Sequence, residues 1–285
     1  MTSESFQKVA RRLAIALVLG IVSLHILASL GNPVGTIEDD AVQIMLARSL
    51  RHGSFALPDA HGVPITDPLP GLSALLLIPV WLLEPRWGLF RALGLLSTAA
   101  TVGLTWLLAR RLLSKAGALS AALLVALNQV IVGHAGLVIP DMPLLALSLI
   151  LIEALPAAGS SFGLIALGLG AALASLLRPQ GAILAACLAV AVAHRHGAKK
   201  AAAFCVPAFL PLAAWMLRNR LLAGTLTGYA VNWRSQVALL GEPQLQVSHA
   251  ARIAAAFFGE GLLALVDWPG AARLAASLAI LPLAG

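Results

Sequence analysis

Acids and arginines are few in this chain, and most stand at the edges of apolar runs. Glu38, Asp39 and Asp40 lie just past the first such run, in the stretch Thr36 to Gly53. Asp67 follows in a proline-rich strip, and Asp141 sits within Ile139-Pro140-Asp141-Met142-Pro143. Arg91 comes early in a later apolar run, Arg178 in Arg178-Pro179-Gln180-Gly181, and Arg218 and Arg220 at the end of another. Guanidinium groups bind phosphate oxygens in bidentate fashion, and a carboxylate can take the proton of an attacking hydroxyl. Acids and arginines gathered at one membrane face would suit a lipid-linked phosphate substrate. Asp39, Asp40 and Asp141 are the candidate catalytic carboxylates, and Arg91, Arg178 and Arg218 the candidate donor-phosphate ligands.

Each has a plainer alternative. Asp39 and Asp40 open a helical pattern and can complement its dipole, worth under about 1 kcal/mol each. Asp141 can cap a helix. Arg178, Arg218 and Arg220 can reach to lipid headgroups. His134 and His249 suit an interface, Glu153 a solvated or paired position, and the tryptophans, Trp215 among them, an aromatic belt.

The elements that must position these groups are membrane helices. The chain is 60% apolar and 11% charged, and several apolar runs approach the roughly 20 residues that cross a bilayer core. Repeated runs of this kind imply an all-α, polytopic helical membrane protein. Its net charge of +7 resides mainly between the runs, where the positive-inside rule puts it, so nucleic-acid binding is excluded. Cys187 and Cys205 lie inside apolar runs, which argues against a disulfide. The carboxylates are dispersed and lack a His/Cys ligand set, so neither a metal nor another cofactor is expected.

Apolar segments occur at 12–31, 69–83, 88–109, 116–134, 142–157, 161–177, 180–194, 201–217, 253–266 and 271–284. Charge decides the topology. If the short, proline-flanked 69–83 is interfacial, then Lys8/Arg11/Arg12, Arg110/Arg111/Lys115 and Arg195/Lys199/Lys200 all fall in the cytoplasm. The N-terminus is then cytoplasmic, and a long first outer loop carries two interfacial helices, 39–52 and 69–83. In the first, Val42, Met45, Leu46 and Leu50 form the apolar face, with Gln43, Arg48, Arg51 and His52 away from it, and Gly53 ends it. The runs from 88–109 to 201–217 are each read as one span, and a less apolar outer segment, 218–268, precedes a last span at 270–284.

In this order the motifs resemble those of GT-C glycosyltransferases, above all the protein O-mannosyltransferases and the lipid A aminoarabinose transferases. Asp39-Asp40-Ala41 with Ala47-Arg48-Ser49-Leu50 resembles the first-loop Asp-Glu-Ala pattern and its helix. Gly62-Val63-Pro64 to Asp67-Pro68 resembles the stretch that follows. Phe90-Arg91-Ala92-Leu93 is similar to the arginine at the head of the second span, and Leu137 to Pro143 to the second acidic loop. Arg178-Pro179-Gln180-Gly181 resembles a basic Arg-Pro-Glu-Gly turn, and Trp215 to Gly224 the end of span seven. The likeness covers about residues 10–225.

The resemblance implies a GT-C-like bundle in the inner (plasma) membrane. It implies inverting transfer of a sugar from a polyprenyl-phosphate donor to a lipid, glycan or protein acceptor on the extracytoplasmic face. By position Asp39 is then the catalytic base, with Asp141 and Arg178 near acceptor or phosphate. Asp40 stands where the family has Glu. Asp67 replaces the Lys that precedes Pro in the aminoarabinose transferases, so that phosphate contact is not carried over. The chain reads as a single domain, 1–285, without the family's C-terminal spans. Two other readings stay open: a transporter or flippase-like protein for a lipid-linked sugar, and an inactive lipid-binding membrane module.

Overall fold

The computed structural model describes residues 3–31, 34–35, 40–57, 65–83 and 86–226. Glu38, Asp39, Asp59 and His61, and everything from 227 to 285, lie outside the described residues. The latter includes Trp233, Glu242, His249 and the span expected at 270–284.

The fold is all-α. In chain order the helices are α1 (Ser3–Leu30), α2 (Asp40–Arg51), α3 (Gly71–Leu83), α4 (Arg91–Leu112) and α5 (Lys115–Ala126). They continue with α6 (Gln129–His134), α7 (Asp141–Ala154), α8 (Ser161–Leu177), α9 (Gln180–His196) and α10 (Ala198–Ala223). Single 3-10 turns precede α4 and follow α7. Side-chain caps begin several of them. Ser114 Oγ accepts from the Gly117 amide to start α5, and Ser160 Oγ from the Gly163 amide to start α8; each satisfies a donor that the first helical turn leaves open.

Among the described residues two helices are long and apolar enough to cross a membrane, Gly88–Leu112 and Ala198–Ala223. Several of the others match their apolar runs, but one run is divided. The run 116–134 is not one helix: it breaks at Asn128, whose Oδ1 accepts from the amides of Val130 and Ile131 and starts α6 afresh. Hydropathy averages over such a break because a single Asn barely lowers the mean, whereas its side chain restarts the hydrogen-bond ladder.

Side-chain links fix which helix ends lie together. At one end, Arg111 at the close of α4 pairs with Glu153 at the close of α7, and Lys200 Nζ donates to the Gly159 carbonyl at 2.7 Å. Arg110, Arg111, Lys115, Arg195, Lys199 and Lys200 belong to this end. At the other, His25 Nε2 donates to the Ala126 carbonyl at 2.8 Å and Arg91 Nη1 to the Ser29 carbonyl at 3.1 Å. Asp141 and Arg178 pair there too. The two are called below the Glu153 end and the Asp141 end.

Among the described residues three apolar clusters hold the bundle, the smallest being Leu46, Phe55, Leu69 and Trp215. Leu164, Leu167, Leu188, Val192 and Phe204 join α8, α9 and α10. Ile44, Ala47, Leu72, Leu76 and Leu177 join α2 and α3 to α8. The outward surface is also apolar: Leu96, Ile183 and Val190 are 69%, 67% and 71% exposed.

The buried face of α2 differs from the amphipathic reading. Asp40, Gln43, Ile44, Leu46 and Ala47 are buried, while Val42, Met45 and Leu50 are only partly so. The cause is that α2 is covered on two sides. Ile44 and Ala47 meet α3 and α8, and Leu46 meets Phe55, Leu69 and Trp215. Gln43 is buried because its Oε1 accepts from Ser73 Oγ on α3 at 2.6 Å. A polar pair that satisfies itself can sit inside a helix interface without the penalty of an unmade bond.

Close backbone approach sets the turn between α8 and α9. A Cβ on Gly181 would lie 2.0 Å from the Ala174 carbonyl oxygen, so the α8 backbone fills that space. On Gly103 in α4 a Cβ would meet nothing within 4 Å. Gly181→Ala should therefore destabilise the protein by about 1–3 kcal/mol, whereas Gly103→Ala should leave it unchanged or slightly stabilised. Thermal unfolding of both variants in the same detergent measures this, and equal melting temperatures would contradict the packing described.

Candidate functional site

The site at the Asp141 end begins with Asp40. Its carboxylate is 1% exposed. Oδ2 accepts from the Gly35 amide and Oδ1 from the Ala41 amide, each at 2.7 Å. Both oxygens thus serve the backbone, tying Gly35 to the start of α2. That is a positioning geometry. Asp39, the neighbouring carboxylate, lies outside the described residues.

Asp141 is the first residue of α7, and Pro140 holds the cap position without a side-chain hydrogen bond. Instead of capping, the Asp141 carboxylate accepts from Arg178 Nη2 at 2.5 Å, across 37 residues of sequence. Arg178 is placed by the tight α8–α9 turn: it closes α8 in extended conformation, and its carbonyl accepts from the Gly181 amide at 2.9 Å. The pair is reachable from outside, with the Arg178 and Asp141 side chains 32% and 42% exposed. Arg178 Nε is buried and has no partner. A guanidinium carries five N–H donors, so Arg178 can hold Asp141 and still offer a donor to an anion.

Arg91 stands at the start of α4. One nitrogen serves the Ser29 carbonyl, while its Nε is buried and unpartnered. Its helix is seated by Gly94, which lies directly against the carbonyl oxygens of Ala135 and Leu137, on the strand of chain leading to Asp141. Arg91 and the Asp141–Arg178 pair therefore flank one end of the α4–α7 contact.

Arg218 has a different setting. Its Nη1 donates to the Ile65 carbonyl at 3.0 Å and to Asn219 Oδ1 at 2.9 Å. The guanidinium lies 4.5 Å from the Trp215 ring centroid and 5.8 Å from that of Phe55. Those two rings meet edge to face at 5.1 Å. Asn219, fully buried, donates to the Thr66 carbonyl at 3.4 Å. Together they clamp the segment before α3 to α10, and the cation over two aromatic faces adds about 0.5–2 kcal/mol. Trp215 is thus a buried member of this clamp, 9% exposed, rather than a residue of an aromatic belt. Its partner Phe55 carried no signal of its own in the sequence.

The structure brings Asp141 and Arg178 into contact and sets Arg91 and Arg218 in separate hydrogen-bonded positions at the same end. Among the described residues no three His, Cys, Asp or Glu side chains gather as a metal site would need. No family model, no curated protein and no solved structure matches the chain.

The Asp141–Arg178 contact can be measured directly. Because both partners are partly exposed, a double-mutant cycle with Asp141→Ala and Arg178→Ala should give a coupling of about 0.5–1 kcal/mol. Strictly additive losses of stability would show that the two side chains do not meet.

Proposed function

We propose that the chain is a multi-pass membrane protein and a GT-C-like glycosyltransferase. It moves a sugar from a polyprenyl-phosphate donor to a lipid, glycan or protein acceptor at the Asp141 end, on the extracytoplasmic face of the inner membrane. The observation that carries the reading is the partly exposed Asp141–Arg178 pair. It stands at the end that also carries Arg91 and the Asp40–Gly35 contact at the start of α2.

Two features support the membrane arrangement. Large apolar side chains cover the outside of the helices, a surface that water would drive together and that lipid accommodates. The basic clusters share the Glu153 end, as the positive-inside rule asks of a cytoplasmic face. The placement of charge favours an enzyme over a transporter. From Arg91 to Ala223 the charged residues stand near helix ends, whereas a transport path needs them at mid-membrane.

The proposed reaction is an inverting displacement. The acceptor oxygen attacks the anomeric carbon as the bond from that carbon to the phosphate oxygen breaks. The acceptor proton passes to the Asp39 carboxylate, and the bonding pair leaves on the lipid phosphate. Arg178 and Arg91 stabilise that leaving charge electrostatically. Asp141 orients the Arg178 guanidinium, and Asp40 holds the backbone beside Asp39. Arg218 acts through the clamp on the segment before α3.

General-base assistance is commonly worth about 10²–10⁴-fold. Asp39→Asn preserves size and capping capacity, so transfer from a labelled polyprenyl-phosphate sugar should fall by about that factor at unchanged protein level in membranes. Turnover equal to wild type would remove Asp39 as the base.

A further inference from the structure

The Glu153 end carries more positive charge than its own contacts use. From α4 to α10 the acids are Asp141 and Glu153, and of these Glu153 stands at this end. Arg111 pairs with it, and Lys200 Nζ donates to the Gly159 carbonyl at 2.7 Å. Arg110, Lys115, Arg195 and Lys199 stand exposed beside those two contacts. The contacts also join the basic turns into one surface. Arg111 ties the α4–α5 turn to the end of α7, and Lys200 ties the turn after α7 to the start of α10. Like charges gathered in this way repel one another unless an anion lies among them.

The neighbours of these cations show which anion fits. Between Arg111 and Lys115 the chain exposes Leu112 by 85% and Leu113 by 52%. One turn earlier Trp106 is 38% exposed, and the Arg110 guanidinium lies 5.4 Å from its ring centroid. A tryptophan under a cation, with exposed leucines in the next turn, suits the headgroup level of a bilayer, where apolar groups sit below and charges above. A nucleic acid or an acidic peptide would leave those leucines in water. The α9–α10 turn adds a preference of its own. Gly197 starts α10 without a side-chain cap, and Lys199 and Lys200 occupy the first turn. A helix start favours negative charge, so an anion there offsets two cations that oppose the helix dipole.

We propose that the Glu153 end is a docking surface for anionic phospholipid headgroups. Arg110, Lys115, Arg195 and Lys199 meet the lipid phosphates, while Leu112 and Leu113 enter the acyl layer beside them. Arg111 and Lys200 act within the protein. Such docking rests on the membrane arrangement proposed above and is independent of sugar transfer.

Native mass spectrometry tests it, with the full chain delipidated in a neutral detergent and titrated with phosphatidylglycerol or phosphatidylcholine. One basic side chain near an anionic lipid is worth about fivefold, so phosphatidylglycerol should bind about fivefold more tightly than phosphatidylcholine. The quadruple variant Arg110→Gln, Lys115→Gln, Arg195→Gln and Lys199→Gln should bind the two lipids equally. Should it not fold, the pairs Arg110→Gln with Lys115→Gln and Arg195→Gln with Lys199→Gln carry the test, each weakening the preference. Arg86→Gln with Arg220→Gln removes two exposed cations from the Asp141 end and should leave the preference intact. No preference in the wild type, an unchanged one in the quadruple variant, or an equal loss in the Asp141-end variant would overturn the proposal. So would release of phosphatidylglycerol by an equal concentration of soluble glycerol phosphate, the mark of a free-phosphate site. The readout needs no transfer activity, so it stands or falls apart from the catalytic reading.

Discussion

An apolar exterior leaves polar groups only the ends and the interfaces of the helices, and that constraint organises the whole molecule. A charged side chain in the middle of an outward-facing helix would lose its hydration with nothing to replace it. Two pairs of charges accordingly meet across helix ends, Arg111 with Glu153 at one and Arg178 with Asp141 at the other. These contacts join residues 42 and 37 positions apart, so the polar links that satisfy the ends also set which helices are neighbours. The site at the Asp141 end is thus a consequence of the same rule that shapes the bundle.

Within that frame the two helices of the first loop are held more firmly than surface helices need be. Asp40 closes the entry to α2, the Gln43–Ser73 bond joins α2 to α3, and Arg218 with Asn219 ties the segment before α3 to α10. Gly71, which starts α3, touches the α8 backbone at Leu176 and Leu177, where a Cβ would lie 2.4 Å from the nearest atom. The same contact lies one residue before Arg178. A platform anchored at α8 and α10 is therefore continuous with the guanidinium that the proposed reaction uses. Preorganised charge of this kind acts without reorganisation during reaction, which is the main source of electrostatic rate enhancement.

The sequence made much of this legible where the signal is local. The run 161–177 is α8 residue for residue, because Ser160 caps it and Arg178-Pro179 ends it. The gathering of Asp141 with Arg178 followed from topology, since counting basic clusters puts both at one face. Their direct contact did not, because no periodicity links residues on different helices. The break at Asn128 was lost to averaging, and the burial of Gln43 to the assumption that a polar side chain faces outward. The clamp of Phe55, Trp215 and Arg218 was hidden for a related reason: a Trp near the end of an apolar run fits an interface equally well until its partner ring is known.

The central claim is that the apolar exterior faces lipid and that the two ends of the bundle face opposite aqueous compartments. Gly133, exposed at the Asp141 end with open space at its Cβ, and Lys115, exposed at the Glu153 end, suit single-cysteine reporters. Cys187 and Cys205 would first be replaced by alanine. In intact cells a membrane-impermeant maleimide should label Gly133→Cys and leave Lys115→Cys unlabelled until the membrane is permeabilised. Labelling of both positions in intact cells, or of position 115 alone, would contradict the account.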